Sequence, residues 1–316
     1  MSAPPILAVF GATGAKGGGL ARAILADPGR RFRLRAVTRK PGSAAARALA
    51  AAGAEVVAAD LDDESSLGRA LEGSHGAFFV TAYWEHGSPE RELAQARAMA
   101  DAAANAGVRH AIWSTLEDTR AFIPPGTGRL PLLKGRYNVP HFDAKGEANR
   151  FFAERGVPTT LLHTSFFWDN LVHFGMQPRR GTDGRLAFAL PMGAARLPGI
   201  AAEDIGACAW GIFARGEALA GRSVGIAGEH LTGAQMAEQL ALALGEPVVH
   251  ADLSREAYAA LGFPGADDLA NMFQFKRDFE HAYCAARSPE CARALHPSLR
   301  TFAAWLAGNA ARIPVA

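Results

Sequence analysis

Val9-Phe-Gly-Ala-Thr-Gly-Ala-Lys-Gly-Gly-Gly19 links an apolar run, Ile6–Phe10, to a helix-like stretch at 20–25. This order predicts a buried strand, a glycine-rich turn and a helix. Gly11 allows a tight turn, Gly14 lets the backbone approach a pyrophosphate, and Gly17 lets the helix pack close to the strand. The N–H groups at the helix N-terminus would bind the phosphates. An ordinary structural turn is the alternative, but the flanking strand and helix favour a dinucleotide site. The residues that we assign to it are Gly11, Thr13, Gly14, Ala15, Lys16 and Gly17.

The end of the next predicted strand, 32–38, indicates which dinucleotide would bind. A NAD-selective site usually has an Asp or Glu about 20 residues after the glycines, where the carboxylate accepts hydrogen bonds from the ribose 2′-OH. This strand ends instead in Thr38-Arg39-Lys40. A guanidinium can bind a 2′-phosphate through two hydrogen bonds, and a lysine adds positive charge beside it. We therefore predict NADP(H), with a solvated basic turn as the alternative interpretation.

Composition and charge exclude several classes of protein. The 316 residues include 33 Lys and Arg against 31 Asp and Glu, which leaves a net charge of +2, so the overall charge gives no reason to expect direct binding to nucleic acid or to a membrane. Three scattered cysteines are too few for a disulfide framework or a metal cage. No signal peptide or long apolar span is visible in the sequence. We expect a cytoplasmic protein without a metal site.

Strand and helix patterns alternate through the first half of the chain. Strands are predicted at 6–10, 32–38, 54–59, 76–81, 108–114 and 159–163, with helices at 20–25, 64–71, 89–106 and 142–155, and a surface loop at 122–140. Such alternation is typical of an α/β fold, here a Rossmann-type doubly wound parallel sheet with helices on both faces.

The alternation stops at 166–196, a segment rich in aromatic residues, Gly and Pro that suits a substrate cleft or lid. Further helices are predicted near 204–213, 232–244, 255–261, 267–277 and 289–309. We therefore predict a smaller, mostly helical C-terminal domain. The predicted boundaries are 1–165 for the Rossmann domain, completed by a segment near 196–230, and 166–195 with 231–316 for the smaller domain.

Ligands on parallel sheets bind beyond the carboxyl ends of the strands, so residues at those ends are candidates for the site. Asp60 and Leu61 could flank the adenine, although Asp60 could equally cap the next helix. Thr81, Ala82 and Tyr83 would lie beside the nicotinamide ribose.

The proton-transfer group is the uncertain part of the predicted site. Reductases of this architecture often place a Tyr four residues before a Lys, on one helix face, so that the Lys holds the ribose and lowers the pKa of the phenol. Here Lys145 follows His141 in His141-Phe-Asp-Ala-Lys145, and Ser114 ends the fifth strand, where a substrate-orienting hydroxyl is expected. Either His141 donates the proton, or Lys145 only binds cofactor and His141 braces the loop; Pro140 beside it favours the second interpretation.

Aromatic residues follow the sixth strand in Phe166-Phe-Trp-Asp-Asn-Leu171. Phe167 and Trp168 could cover the nicotinamide, although packing in a core explains Trp168 better. Asn170 could hydrogen-bond the ribose or the amide, since an amide within an apolar run needs polar partners.

Together these motifs resemble the NmrA-like family, an atypical branch of the short-chain dehydrogenases and reductases. The resemblance extends from about residue 5 to 307 and is most specific in Leu261-Gly-Phe-Pro-Gly-Ala-Asp-Asp-Leu-Ala-Asn-Met-Phe273, which is similar to a segment of the family's redox-sensor branch. His141 is also shared with that branch, which counts against catalysis through a Tyr.

The resemblance implies an NADP(H)-binding Rossmann domain and a smaller C-terminal domain. It implies either a redox sensor that responds to NADPH and NADP⁺ and regulates a protein partner, or a reductase of a quinone, imine or carbonyl compound. The missing Tyr favours the sensor, which is the interpretation we prefer, and the aromatic segment at 166–191 supports the reductase as the alternative. Dimerisation is expected only by analogy with the family.

Overall fold

The glycine-rich stretch forms a strand, a turn and a helix in the computed structural model, which describes residues 3–315. The strands, in chain order, are β1 (Ile6–Phe10), β2 (Arg33–Thr38), β3 (Glu55–Ala58), β4 (Ser74–Phe79), β5 (His110–Thr115), β6 (Thr159–His163), β7 (Phe166–Phe167), β8 (Arg179–Arg180), β9 (Leu186–Ala189), β10 (Arg196–Ile200), β11 (Ser223–Gly225), β12 (Glu229–Thr232) and β13 (Val248–Ala251). The helices are α1 (Ala15–Leu25), α2 (Ala44–Ala51), α3 (Glu64–Leu71), α4 (Tyr83–His86), α5 (Pro89–Asn105), α6 (Pro140–Glu154), α7 (Asn170–His173), α8 (Ala202–Ala214), α9 (Gly233–Leu244), α10 (Arg255–Ala259), α11 (Ala266–Asp278), α12 (Glu280–Ala285), α13 (Pro289–Leu295) and α14 (Phe302–Asn309). The predicted alternation through the first six strands is confirmed.

The main sheet has the strand order of a Rossmann fold. Its order is β3-β2-β1-β4-β5-β6-β11, and the strands β1 to β6 pair in parallel. The chain first adds strands on one side of β1 and then, from β4, on the other. In such sheets the ligand crevice lies at this reversal, beyond the carboxyl ends of β1 and β4. The predicted doubly wound α/β fold is confirmed.

Two glycines fix the connection from β1 to α1. Gly11 has a φ of +65°, a left-handed conformation that side chains rarely adopt. A Cβ added at Gly17 would lie 2.4 Å from the carbonyl oxygen of Gly11, so only glycine lets the helix start this close to the strand. Leu7 and Val9 of β1 are fully buried, which anchors the turn to the core.

The chain divides into two compact units. The first contains 3–118, 141–164 and 203–224, and the second contains 119–140, 165–202 and 225–315. Residues 119–140, 165, 196–202 and 225–230, which the sequence placed in the Rossmann domain, therefore group with the second unit. No helix within residues 3–315 is long and apolar enough to cross a bilayer.

The second unit contains helices α9 to α14 and two small sheets that the sequence analysis did not predict. One sheet has the order β12-β10-β7, and the other has the order β13-β9-β8. The helix predicted over 289–309 is instead two helices, α13 and α14. The break falls at His296-Pro297, because a proline disfavours helical geometry in the residue before it.

The segment 122–140 is a mostly exposed loop over 122–136, as the sequence predicted, but its last residues are buried. Tyr137, Asn138 and Val139 are buried. The buried Asn271 side chain donates hydrogen bonds to the carbonyl oxygens of Asn138, at 2.7 Å, and Pro131, at 3.0 Å. A polar anchor on α11 therefore holds this segment inside the second unit.

Candidate active site

The turn before α1 is open on its outer side. Gly11, Thr13, Gly14 and Ala15 are exposed, and the N–H of Gly14 donates to the carbonyl oxygen of Gly11 at 2.8 Å. Within residues 3–315 no side chain caps the N-terminus of α1. N–H groups in its first turn therefore point outward without an intrahelical acceptor, which is the arrangement that binds phosphate. These residues fit a dinucleotide diphosphate.

Arg39 lies just after β2, exposed, and forms two hydrogen bonds to one carboxylate. Its two Nη atoms lie 2.8 Å from the two carboxylate oxygens of Glu85. The Glu85 hydrogen bonds raise the pKa of Arg39 above its ordinary value, and the charges of Asp60 and Asp62 act in the same direction. The same two-pronged geometry suits a phosphate. Lys40 is exposed beside it.

Asp60 does not cap the next helix. Asp63 does so, because its side chain accepts hydrogen bonds from the N–H groups of Ser65 and Ser66. Asp60 instead accepts from the N–H of Asp62 at 3.1 Å. Contact of Asp60 and Leu61 with an adenine stays a prediction.

Lys145 lies at the centre of a buried polar cluster. Its ammonium donates to the Glu92 carboxylate and to the Thr81 hydroxyl, which in turn donates to Glu92. His86 Nε2 lies 3.5 Å from the other Glu92 oxygen, and the Trp113 ring centroid lies 5.2 Å from the ammonium. The predicted site residues Thr81 and Lys145 thus contact each other directly and share a carboxylate that the sequence analysis did not identify.

The charge on Glu92 is stabilised by its partners. Its complete burial alone would raise the pKa of the carboxyl. The charge of Lys145 and hydrogen bonds from Lys145 and Thr81, together with the nearby His86 ring, outweigh burial and hold the pKa below its ordinary value. Glu92 and Lys145 therefore form a buried ion pair near neutral pH.

Lys16 joins the same region from α1. Its ammonium donates to the hydroxyl oxygen of Ser114, at the end of β5, over 2.9 Å. Burial and the nearby Lys145 lower the pKa of Lys16 to about 7, although the charge of Glu92 raises it. The fold therefore brings Lys16, Thr81, Ser114 and Lys145 to one edge of the sheet.

His141 is the second residue of α6 and is held among aromatic rings. Its ring centroid lies 4.8 Å from that of Trp84, 5.9 Å from that of Tyr83 and 4.9 Å from that of Phe142. Tyr83 and Trp84 belong to α4, for which Ala82 is the N-cap residue. This packing favours a bracing role for His141.

Phe167, Trp168 and Asn170 lie in the second unit. Trp168 is buried, with ring centroids 5.3 Å from Phe302 and 6.4 Å from Trp305. Phe167 ends β7 and Asn170 begins α7. Trp168 therefore packs in a core, which was the preferred interpretation of this residue. Contact of Phe167, Trp168 or Asn170 with a cofactor stays a prediction.

Glu85, His86 and Glu92 are the site residues that sequence reasoning missed. Glu92 lies in the first turns of α5, where acidic residues are ordinary because they favour the helix dipole. Glu92 could have been recognised as a buried residue from the sequence, because helical spacing puts it on the same face of α5 as Ala96 and Ala103. Both alanines are fully buried. Within residues 3–315 no group of three or more potential ligands could hold a metal ion.

Comparison with known proteins gives consistent matches. The sequence profile of the NmrA-like family matches residues 5–306. The NmrA-like family domain-containing oxidoreductase FrzB of Cladobotryum sp is 28% identical over 309 residues, which cover 90% of this chain and 88% of the relative.

Two solved structures share the fold. The structure of NmrA, a negative transcriptional regulator, in complex with NADP has a TM-score of 0.76 at 21% identity, over 98% of this chain and 95% of that one. Citrobacter sp. triphenylmethane reductase complexed with NADP(H) has a TM-score of 0.74 at 20% identity, over 96% of this chain and 99% of that one. A regulator and a reductase therefore have this same architecture.

Proposed function

Because this chain belongs to the NmrA-like family, we propose that its first unit binds NADP(H) and uses it to reduce a small organic molecule. The observation that carries the proposal is the cluster of Lys16, Thr81, Glu92, Ser114 and Lys145 at the carboxyl edge of the sheet. A site that only binds a dinucleotide needs neither the buried Lys145–Glu92 ion pair nor a second lysine, Lys16, whose pKa is lowered. Groups of this kind concentrate where protons are transferred.

The glycine turn supports binding of a dinucleotide, and Arg39 supports the preference for NADP(H). The open glycine turn and the uncapped start of α1 suit the diphosphate. Arg39 presents the two-pronged guanidinium that suits a 2′-phosphate, and Lys40 adds charge nearby. The NADP complexes of NmrA and of triphenylmethane reductase support this choice of cofactor.

Each polar residue then has a separate task. The bound dihydronicotinamide supplies a hydride. Lys145, fixed by Glu92 and Thr81, holds the ribose hydroxyls, and Ser114 orients the substrate oxygen or nitrogen from the end of β5. FrzB and further relatives named as oxidoreductases support a catalytic role.

A redox sensor that regulates a protein partner is the second candidate, and the sequence analysis favoured it. The observation behind it is that His141 stands where a catalytic Tyr is usual and packs against Trp84 and Phe142. In this case a difference in affinity between NADPH and NADP⁺ would shift the protein between two states. Dimerisation and a cytoplasmic location stay predictions.

The two candidates differ in turnover. Oxidation of NADPH by the purified protein would be followed against a panel of quinones, aldehydes and cyclic imines, with cofactor binding checked by fluorescence in the same samples. The proposal expects multiple turnovers well above the uncatalysed rate. Tight binding of NADPH without turnover on any compound would contradict it and favour the sensor.

A further inference from the structure

Two lysines and one carboxylate meet at the carboxyl edge of the main sheet. The Lys145 ammonium is engaged by Glu92 and Thr81. The second ammonium, that of Lys16, donates to Ser114. The cluster therefore has one lysine in a buried ion pair with Glu92 and a second lysine that is hydrogen-bonded to Ser114.

Lys16 is well placed for a reaction beyond the strand ends. It is the second residue of α1, directly after the glycine turn, and it is half-buried rather than enclosed. Its ammonium lies 2.9 Å from Ser114 Oγ, and Ser114 is almost completely buried. The hydroxyl thus fixes the position of the ammonium.

The other two candidate proton donors are less suitable. Lys145 would have to break its buried pair with Glu92 to lose a proton, which would leave a buried carboxylate without its cation. His141 packs against the rings of Tyr83 and Trp84.

We propose that the Lys16 ammonium, positioned by Ser114, is the catalytic acid that replaces the missing Tyr. This inference rests on the proposed reductase function and narrows its substrates to carbonyl and imine compounds, which need a proton on oxygen or nitrogen. The substrate carbon gains the hydride that NADPH supplies, and the electron pair of the C=O or C=N bond moves to the heteroatom. That atom takes the proton from Lys16 Nζ, and the neutral amine regains a proton from water.

The electrostatics of the cluster agree with this role. Burial and the Lys145 charge lower the pKa of Lys16 to about 7, against the charge of Glu92. An acid is most effective when its pKa is near the working pH. The titratable groups around Lys16 are Lys145 from α6 and Glu92 from α5, with His86 of α4 beside Glu92.

The first test is the titration of Lys16 in the cofactor-free protein. The chain has only five lysines, at 16, 40, 134, 145 and 276, so a protein labelled with ¹³C at lysine Cε gives few NMR signals. The signal that disappears in Lys16→Met is expected to titrate with a midpoint near pH 7. A midpoint near the ordinary lysine value of about 10.4 would overturn the inference.

The second test is the pH profile of turnover on the aldehyde or imine of the panel that reacts fastest. The wild-type kcat is expected to fall about tenfold per pH unit above pH 7, as the ammonium is lost. At saturating NADPH, Lys16→Met should lower kcat about 100-fold and remove that fall; kcat is compared at saturation because Lys16 also belongs to the predicted cofactor turn. Lys16→Arg keeps the charge without a titration near pH 7 and should also lose most of kcat.

Lys134→Met makes the same chemical change at an exposed lysine of the second unit and should leave kcat and its pH profile unchanged. If Lys16→Met retains both the wild-type kcat and the fall above pH 7, Lys16 is not the acid, although the protein is still a reductase. If the wild type turns over no compound, the proposed function fails and this inference fails with it.

Discussion

Arg39 and Glu85 form a two-pronged ion pair, with both guanidinium Nη atoms 2.8 Å from the carboxylate oxygens. Both side chains are about half exposed, so the pair itself adds little to stability. The pair matters for cofactor binding, because a 2′-phosphate would compete with Glu85 for the same guanidinium nitrogens. If Arg39 binds the 2′-phosphate, NADP(H) would therefore displace Glu85 or share Arg39 with it.

Arg39→Ala should weaken NADPH binding about 30-fold or more and NADH binding less than threefold. The substitution removes the group that would bind the 2′-phosphate, which NADH lacks. Dissociation constants from nicotinamide fluorescence measure both effects. Equal losses for the two cofactors would show that Arg39 does not recognise the 2′-phosphate. Arg33→Ala, at an exposed arginine that starts the same strand, is the control and should change neither constant.

Glu85→Gln should tighten NADPH binding about threefold to tenfold at low salt and leave NADH binding nearly unchanged. The substitution removes both the competitor for Arg39 and a negative charge that would repel the phosphate. The gain should shrink as ionic strength rises, because the charges are exposed. Weaker NADPH binding in Glu85→Gln would mean that Glu85 holds Arg39 in its binding position.

Glu92→Gln should lower the free energy of unfolding by about 3 kcal/mol at pH 7, because it leaves the buried Lys145 ammonium without its carboxylate. Glu203→Gln breaks an exposed pair with Arg22 and should cost less than about 1 kcal/mol. Urea unfolding measures both changes. Equal losses in the two variants would contradict the buried ion pair.

The same pair predicts a pH dependence. The folded-state pKa of Glu92 lies below its unfolded value, so its stabilisation is fully present above the unfolded value, about 4.3, and is lost as the pH falls through the folded one. The difference in unfolding free energy between wild type and Glu92→Gln should therefore shrink below pH 4. A difference that stays constant from pH 7 to pH 3 would show that the carboxylate charge contributes nothing.

Asn271→Ala should destabilise the protein by about 2–3 kcal/mol, because the carbonyl oxygens of Pro131 and Asn138 lose their donor. Gln274→Ala, on the same helix, removes only an exposed hydrogen bond to Asp278 and should cost less than about 1 kcal/mol. Thermal unfolding compares the two. Equal stability of the two variants would show that Asn271 does not hold the 122–140 segment.

The sequence predicted the fold well because the strands of a parallel sheet are marked locally. The strands predicted at Ile6–Phe10 and Thr159–His163 begin and end where the structure has them. The turn could be predicted from Gly11 and Gly17 because each glycine meets a local steric requirement.

The polar cluster could not be predicted in the same way. Glu92 acquires its role only when α5 packs beside Lys145, 53 residues later in the chain. The contact of Lys16 with Ser114 spans 98 residues. Asn271 likewise binds the buried end of the 122–140 segment from 133 residues away in the chain. Helical spacing can mark a residue such as Glu92 as facing inward, but it does not identify a partner this far along the chain.

Deuterium transfer tests the reductase function most directly. NADPH carrying deuterium at either face of C4 would be incubated with the protein and the most reactive aldehyde or imine, and the product would be analysed by mass spectrometry. We expect one deuterium on the product carbon per turnover, from one face of the cofactor only. A product without deuterium from either cofactor, in samples where NADPH is bound, would contradict hydride transfer and the account built on it.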